Sequence, residues 1–278
     1  MVHLIMKTMI MVAPNGARRT KADHPQLPIT AQELADDALA CANAGASAIH
    51  LHVRDDNGRH VLDADRYRQA VAAIYSQLAD RMVIQVTSEA VGIYSAPEQM
   101  ACIRAVKPQA VSVALKEIIP QGEAVEEAKA FFSWLKAEQI APQFILYDDH
   151  DVRRFFKLQD EGVICLAEPF LLFVLGRYAS DQQSDPQDLD PFLAALGRHK
   201  AHWAVCAFGR REAECAVYAS RQGGHVRIGF ENNLFLPDGQ MASSNSALVE
   251  ATRKQMEQAG VTIMNGQQAQ ALLRLSLQ

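Results

Sequence analysis

Residues 30–55 read TAQELADDALACANAGASAIHLHVRD, a helix followed by a strand. Thr30-Ala31-Gln32-Glu33 has the form of a capping box, in which the Thr30 and Glu33 side chains satisfy free backbone N–H groups. The pattern predicts a helix over 30–44. The apolar run that follows, 46–53, reads as a buried strand. In a strand, residues i and i+2 project to one face, so His50 and His52 stand side by side with Leu51 opposite them.

The same unit repeats along the chain. Strands are expected over 5–12, 46–53, 82–86, 110–114, 143–146, 171–175, 203–208 and 226–230. Helical patterns fall between and after them, over 30–44, 63–78, 96–106, 122–138, 149–161, 188–196, 211–221 and 243–258. The strands are near-continuous apolar runs, as expected when both faces are buried in a parallel sheet. Eight strand–helix units within 278 residues predict an α/β chain folded as a (β/α)8 barrel, one domain over 1–278 with a C-terminal helix. An open doubly wound sheet shares this local pattern and is the structural alternative. The polar stretch 180–190 reads as a loop after strand six rather than a domain boundary.

Apolar residues make up 49% of the chain and charged residues 21%, as in an ordinary globular protein. The net charge of −5 leaves no basic excess to neutralise phosphates, which argues against a nucleic-acid partner. Five cysteines with no C-x-x-C pair suit a reducing, cytoplasmic setting. Residues 1–11 are apolar but lack the charged start and cleavage site of a signal peptide. No apolar run approaches a membrane span. No P-loop or G-x-G-x-x-G follows a strand, so no NAD- or ATP-type cofactor is indicated.

Active-site residues of such barrels lie at the C-terminal ends of strands. His50 and His52 end strand two. Two imidazoles there are half of a metal site, and Glu231, ending strand eight, is the best carboxylate candidate. A set of two His and one carboxylate leaves positions open for water or substrate and suits catalytic Zn²⁺, or Fe²⁺ in oxygenases. Asp55 or Asp56 is placed to support a ligand histidine. Other strand ends carry Asn15, Gly16, Arg18 and Arg19; Thr87, Ser88 and Glu89; Lys116 and Glu117; and Asp148, Asp149 and His150. The plainer reading is that the histidines only pack or hydrogen-bond. His225 opens strand eight, far from this face, and reads as structural.

Several segments together make a more specific signal. They are Asn15-Gly16-Ala17, His24-Pro25 with Leu27-Pro28-Ile29-Thr30, Ala44-Gly45-Ala46, His50-Leu51-His52-Val53-Arg54-Asp55, Phe173-Val174-Leu175-Gly176, Trp203-Ala204-Val205, and Gly223-Gly224-His225-Val226-Arg227-Ile228-Gly229-Phe230-Glu231-Asn232-Asn233. In these the chain resembles the β-keto acid cleavage enzymes, a family of zinc-dependent (β/α)8 proteins, over nearly its whole length. The resemblance implies Zn²⁺ held by His50, His52 and Glu231, with acetyl-CoA as co-substrate. It implies that a β-keto acid and acetyl-CoA yield acetoacetate and a new CoA thioester by retro-Claisen chemistry, without a covalent enzyme intermediate. It gives Arg227 the stabilisation of developing oxyanion charge, and it implies a homo-oligomer, typically a tetramer.

The chain departs from the founding member of that family at three places. Asn232 stands where the founder has an Asp that assists the arginine, and an amide cannot take a proton at neutral pH. Either Asn232 only orients Arg227 or another group takes the proton, with Glu89, Asp148 and Asp149 the candidates. Arg18 stands where the founder has a Glu that meets a substrate ammonium. This inversion predicts a neutral or acidic substrate tail. Thr87-Ser88-Glu89 replaces a Gly-rich loop, keeping hydroxyls for the substrate carboxylate while adding a charge. Competing readings are a class II aldolase or hydrolase using the same three ligands, and a non-catalytic binding protein that lost its base.

Overall fold

The eight apolar runs become eight parallel strands that close on themselves. The computed structural model describes residues 7–120 and 125–278. Its barrel strands are β1 (Ile10–Val12), β2 (Ala48–Leu51), β3 (Val83–Thr87), β4 (Ala110–Ala114), β5 (Ala141–Leu146), β6 (Phe170–Leu175), β7 (His202–Ala207) and β8 (His225–Ile228). Each pairs with its sequence neighbours, and β8 pairs with β1 through Arg227 opposite Met11. Helices follow each strand: α1 (Ala31–Ala44), α2 (Ala64–Leu78), α3 (Ala96–Val106), α4 (Val125–Ala137), α5 (Asp149–Asp160), α6 (Asp190–Leu196), α7 (Glu212–Arg221) and α8 (Asn245–Gln258). Closure rules out the open-sheet alternative. The part of the expected fourth helix at 122–124 lies outside the described residues, as does the start of the expected first strand.

The Thr30–Glu33 capping box forms as read, and Gly45 ends α1 in the left-handed region at φ 118°. A Cβ there would sit 2.5 Å from Arg253 Cδ, so glycine is required on both counts.

Alternation along the strands divides the core in two. Outward side chains such as Ile49, Leu51, Val86 and Val205 pack under the helices. Inward residues such as Met11, Ala48, Val83, Ala141 and Cys206 fill the barrel. One further helix, α9 (Gly266–Leu275), plugs the N-terminal end with Ala269, Leu272 and Leu273. The opposite mouth stays open to polar chemistry.

Two features differ from the sequence reading. Expected strand 5–12 contributes only three residues to the barrel; Lys7–Thr8 instead pairs with Thr262–Ile263. Expected strand 46–53 ends at Leu51, and Val53–Arg54 turns back to pair with His60–Val61 as a hairpin. The hairpin brings His60 under His52.

Candidate active site

His50 and His52 share the inward face at the C-terminal end of β2, and both are buried. Their Nε2 atoms lie 3.1 Å apart. Glu231 Oε2 is 3.6 Å from each. The hydrogen-bond network fixes which nitrogen carries the proton. His50 Nδ1 donates to Gln85 Oε1 at 2.7 Å, since that oxygen only accepts. His60 Nε2 donates to the Glu89 carbonyl at 3.0 Å, so its Nδ1 accepts from His52 Nδ1 at 3.3 Å. Both histidines therefore turn a lone pair toward Glu231 Oε2, which is itself buried without a partner.

Three acceptors facing one another with no hydrogen among them fit a cation. Ligands bound at about 2.0–2.1 Å to tetrahedral Zn²⁺ lie about 3.4 Å from one another, close to the 3.1 and 3.6 Å separations here. The N₂O donor set fits the same ion.

Protonation favours this role. Burial, with Arg227 nearby, pulls His50 well below the ordinary imidazole range. Burial pushes Glu231 up, but the charged Arg227 foremost outweighs it and holds the carboxyl well below the usual range. Burial and the neighbouring His52 bring His60 down to about 3.

Arg227 is buried on β8, beside the carboxylate. Its Nη2 donates to Glu231 Oε1 at 3.2 Å and to Cys206 Sγ, on the paired position of β7, at 3.3 Å. Burial pulls its pKa down, but Cys206 and Glu231 more than compensate, so it stays charged.

The surrounding loops are held by side chains committed to backbone. Asn15 clamps His52 by both its N–H and its carbonyl, at 3.3 and 3.0 Å. Arg54 donates to the carbonyls of Asn15, Gly16 and Arg19, tying down the loop after β1. At Gly16, φ is 59° and a Cβ would lie 2.6 Å from Glu231 Cγ, so the loop packs directly on the carboxylate.

A cavity of about 150 Å³ opens from this centre toward solvent. Its walls include Arg18, Arg19, Thr87, Glu89, Arg177 and Arg227. Glu89 Oε2 is 3.8 Å from His52 Nε2. Thr87 Oγ1 accepts from Glu89 N–H and Ser112 Oγ, leaving its own hydrogen to donate.

The structure thus brings together His50, His52, Glu231, Arg227, Thr87, Glu89 and Arg18. Ser88 departs from its expected role: its hydroxyl donates to the Ser112 carbonyl, facing away from the cavity. Asn232 lies behind Arg227, donating to its main-chain carbonyl at 3.4 Å rather than meeting the guanidinium. Asp55 and Asp56 do not support the histidines. Asp55 caps its own turn through the Asn57 and Arg59 N–H groups, and Asp56 pairs with Arg66. Asp148 caps α5 and Asp149 pairs with Arg153, so neither faces the cavity. Gln85 and His60 hold the parts expected of the aspartates. Gln85 carried a readable signal, a polar residue at an inward position of an apolar strand. His60 carried none, because its place depends on the hairpin.

A cation-shaped cluster and a buried arginine at the C-terminal mouth of a (β/α)8 barrel define a barrel enzyme. The family model of the beta-keto acid cleavage enzymes matches residues 7–275. The chain belongs to that family, whose members break a C–C bond with acyl transfer.

Among its relatives, 3-keto-5-aminohexanoate cleavage enzyme of Fusobacterium nucleatum is 29% identical over 98% of this chain and 99% of its own. The enzyme of the same name from Acetoanaerobium sticklandii is 30% identical over 97% and 99%. 3-Oxoadipate:acetyl-CoA acetyltransferase of Cupriavidus necator is 28% identical over 96% and 94%. Among solved structures, a ternary complex of ObcA with a C4-CoA adduct and oxalate superposes with a TM-score of 0.74 at 16% identity, covering 90% of this chain and 67% of that one. At that identity the likeness speaks for the fold alone. Among the described residues, no helix is long and apolar enough to cross a membrane.

Proposed function

We propose that this chain converts a β-keto acid and acetyl-CoA into acetoacetate and a new acyl-CoA, using Zn²⁺ held by His50, His52 and Glu231. The observation that carries this is the convergence of three unprotonated acceptors beside a buried, charged arginine. A divalent ion held there supplies Lewis-acid polarisation of the keto oxygen and offsets the charge of the substrate carboxylate.

The bonds made and broken balance in the following sequence. The α-carbon of the β-keto acid loses a proton and attacks the acetyl-CoA carbonyl, and CoA leaves as thiolate. The thiolate then attacks the original keto carbon, and the bond from that carbon to the α-carbon breaks. The carbanion so released takes back a proton and is acetoacetate, which keeps the carboxylate and α-carbon of the substrate; the remainder leaves as the CoA ester.

Arg227 directs its donors at the oxyanion that develops in both attacks. Thr87 offers its free hydroxyl hydrogen to the substrate carboxylate. Glu89, which lines the cavity, is the group placed to take the α-proton. Arg18, Arg19 and Arg177 make the outer wall cationic. They support a substrate tail that is neutral or acidic, as the name of the Cupriavidus relative suggests. A cytoplasmic homotetramer completes the proposal, the five free cysteines being in keeping with a reducing compartment.

The test is a panel of β-keto acids with neutral, carboxylate and ammonium tails, assayed with acetyl-CoA for acetoacetate. Expected are strict dependence on acetyl-CoA, loss of activity with a chelator, recovery with Zn²⁺, and no preference for ammonium tails. Turnover without CoA would show an aldolase or hydrolase instead. Preferred cleavage of the ammonium-bearing acid would overturn the tail assignment.

A further inference from the structure

Glu117 is a carboxylate at the same mouth of the barrel that no step above uses. It lies in a single helical turn, Leu115–Ile118, directly after β4, and is half-buried. It does not line the cavity. Its Oε2 accepts from the Ala90 N–H at 3.0 Å.

The peptide unit it holds joins Ala90 to Glu89, the group placed to take the α-proton. The same unit is held at its other end, where the Glu89 carbonyl accepts from His60 Nε2 at 3.0 Å. The Glu89 N–H donates to Thr87 Oγ1 at 3.0 Å, and the Ser88 N–H to the Ser112 carbonyl at 3.2 Å. Every backbone N–H from 88 to 90 is thus committed, each to a different neighbour.

The segment needs such holding. Val91, next in the chain, has φ 46°, a left-handed conformation that β-branched residues rarely adopt. Strain of this kind persists only where surrounding contacts fix it. β3 has ended at Thr87, so its ladder does not reach Glu89. The Ala90 carbonyl accepts from the Ile93 and Tyr94 N–H groups, which closes the turn on itself. Glu117 and His60 tie that turn to the rest of the barrel.

We propose that Glu117 and His60 are positioning residues that grip the Glu89–Ala90 peptide at its two ends and so aim the Glu89 carboxylate into the cavity. The two grips differ in reach. His60 Nδ1 also accepts from His52 Nδ1 at 3.3 Å, so His60 serves a metal ligand and the base together. Glu117 acts on the segment of the base alone. The inference rests on the reading of Glu89 as that base.

The test uses the full-length chain with E117A, E117Q and H60A, with melting as the control for folding. Deuterium exchange of the backbone over 88–91, read by mass spectrometry, should be at least about 10-fold faster in E117A. It should stay near wild type in E117Q, whose amide oxygen still accepts from Ala90. In the acetoacetate assay E117A should lose kcat about 10-fold or more with little change in KM, because a turned base spoils alignment rather than binding. E117Q should regain most of that loss. Zn²⁺ affinity, by chelator competition, should be unchanged in E117A and fall about 10–100-fold in H60A. An E117A chain that exchanges 88–91 at the wild-type rate, or exchanges it fast yet keeps wild-type kcat, would overturn the proposal. So would an E117Q chain as impaired as E117A, since the charge and not the hydrogen bond would then be what acts. The exchange and Zn²⁺ readouts need no turnover, so a wild type inactive on every β-keto acid would refute the proposed function while the grip on Glu89 is still decided.

Discussion

Gln85→Leu puts the reading of the metal centre to its most direct test. Gln85 is fully buried, accepts from His50 Nδ1 at 2.7 Å, and donates to Gln143 Oε1 at 3.2 Å. Leucine fills much the same volume and removes both bonds. Two buried polar groups then lose partners, at about 1–3 kcal/mol each, partly offset by the apolar surface leucine buries. His50 has a cheaper alternative to an orphaned Nδ1–H. It can move its proton to Nε2, the atom that faces Glu231. That relieves the strain and destroys the ligand. Loss of such supporting bonds costs about 10–100-fold in metal affinity. The assay is Zn²⁺ competition against a chromogenic chelator on the metal-free protein, with circular dichroism as a control for folding. Gln85→Glu keeps the acceptor and should recover most of the affinity, separating the hydrogen bond from packing. A folded Q85L chain that binds Zn²⁺ as tightly as wild type would refute the tautomer argument.

Three other perturbations follow from the same geometry. Gly16→Ala places a Cβ where Glu231 Cγ now packs, 2.6 Å away, in a left-handed conformation; kcat/KM should fall by about 10–100-fold as Glu231 shifts, while the chain stays folded, checked by steady-state kinetics and melting. Arg18→Glu changes an exposed cavity residue. On the proposed function it should shift the ratio of kcat/KM toward ammonium-tailed acids by about 10-fold or more, with no change in melting midpoint. His225 accepts from the Met9 N–H at the closed end of the barrel, and burial lowers its pKa to about 3. A base depressed on folding costs stability as pH falls below its unfolded pKa near 6.5, because only the unfolded chain takes the proton. At pH 5.5 that loss is about 1.4 kcal/mol relative to pH 7.5. His225→Asn should remove it, seen as a shallower fall of urea-unfolding free energy over that range; an unchanged slope would show that other groups carry it.

The barrel was legible because its grammar is local. Each strand is an apolar run, most helices carry their own cap, and the helix bounds at 96–106 came out unchanged. Parallel pairing with buried faces needs no long-range information beyond that pattern. The three acceptors were legible because a strand fixes His50 and His52 on one face, and barrel geometry puts strand ends at one mouth. What supports them was not legible. Asp55 and Asp56 follow the histidines in sequence, yet a four-residue turn spends Asp55 on its own backbone. His60 reaches His52 only through a hairpin that no periodicity announced. Gln85 stands opposite His50 because β2 and β3 pair in one register, and register is a property of the closed sheet. Ser88 failed for the simplest reason: it follows Thr87 by one residue, so alternation turns its hydroxyl away from the cavity.

Asn232 looked like a missing catalytic acid, and the geometry around Glu231 removes that difficulty. The carboxylate divides its oxygens, Oε1 to Arg227 and Oε2 to the acceptor cluster. An arginine so paired cannot serve as the base. Burial alone would ease its deprotonation, but Cys206 and Glu231 outweigh it and keep the charge in place. On the proposed function Arg227 then contributes its field and its donors, and an acid beside it would have no proton to relay. On that same proposal the α-proton goes to a carboxylate that faces the cavity. Asp148 and Asp149 are spent on α5, whereas Glu89 lines the wall within 3.8 Å of His52. On the proposed function a neutral Asn232 therefore leaves the proton path intact, because that path runs through Glu89 rather than through Arg227.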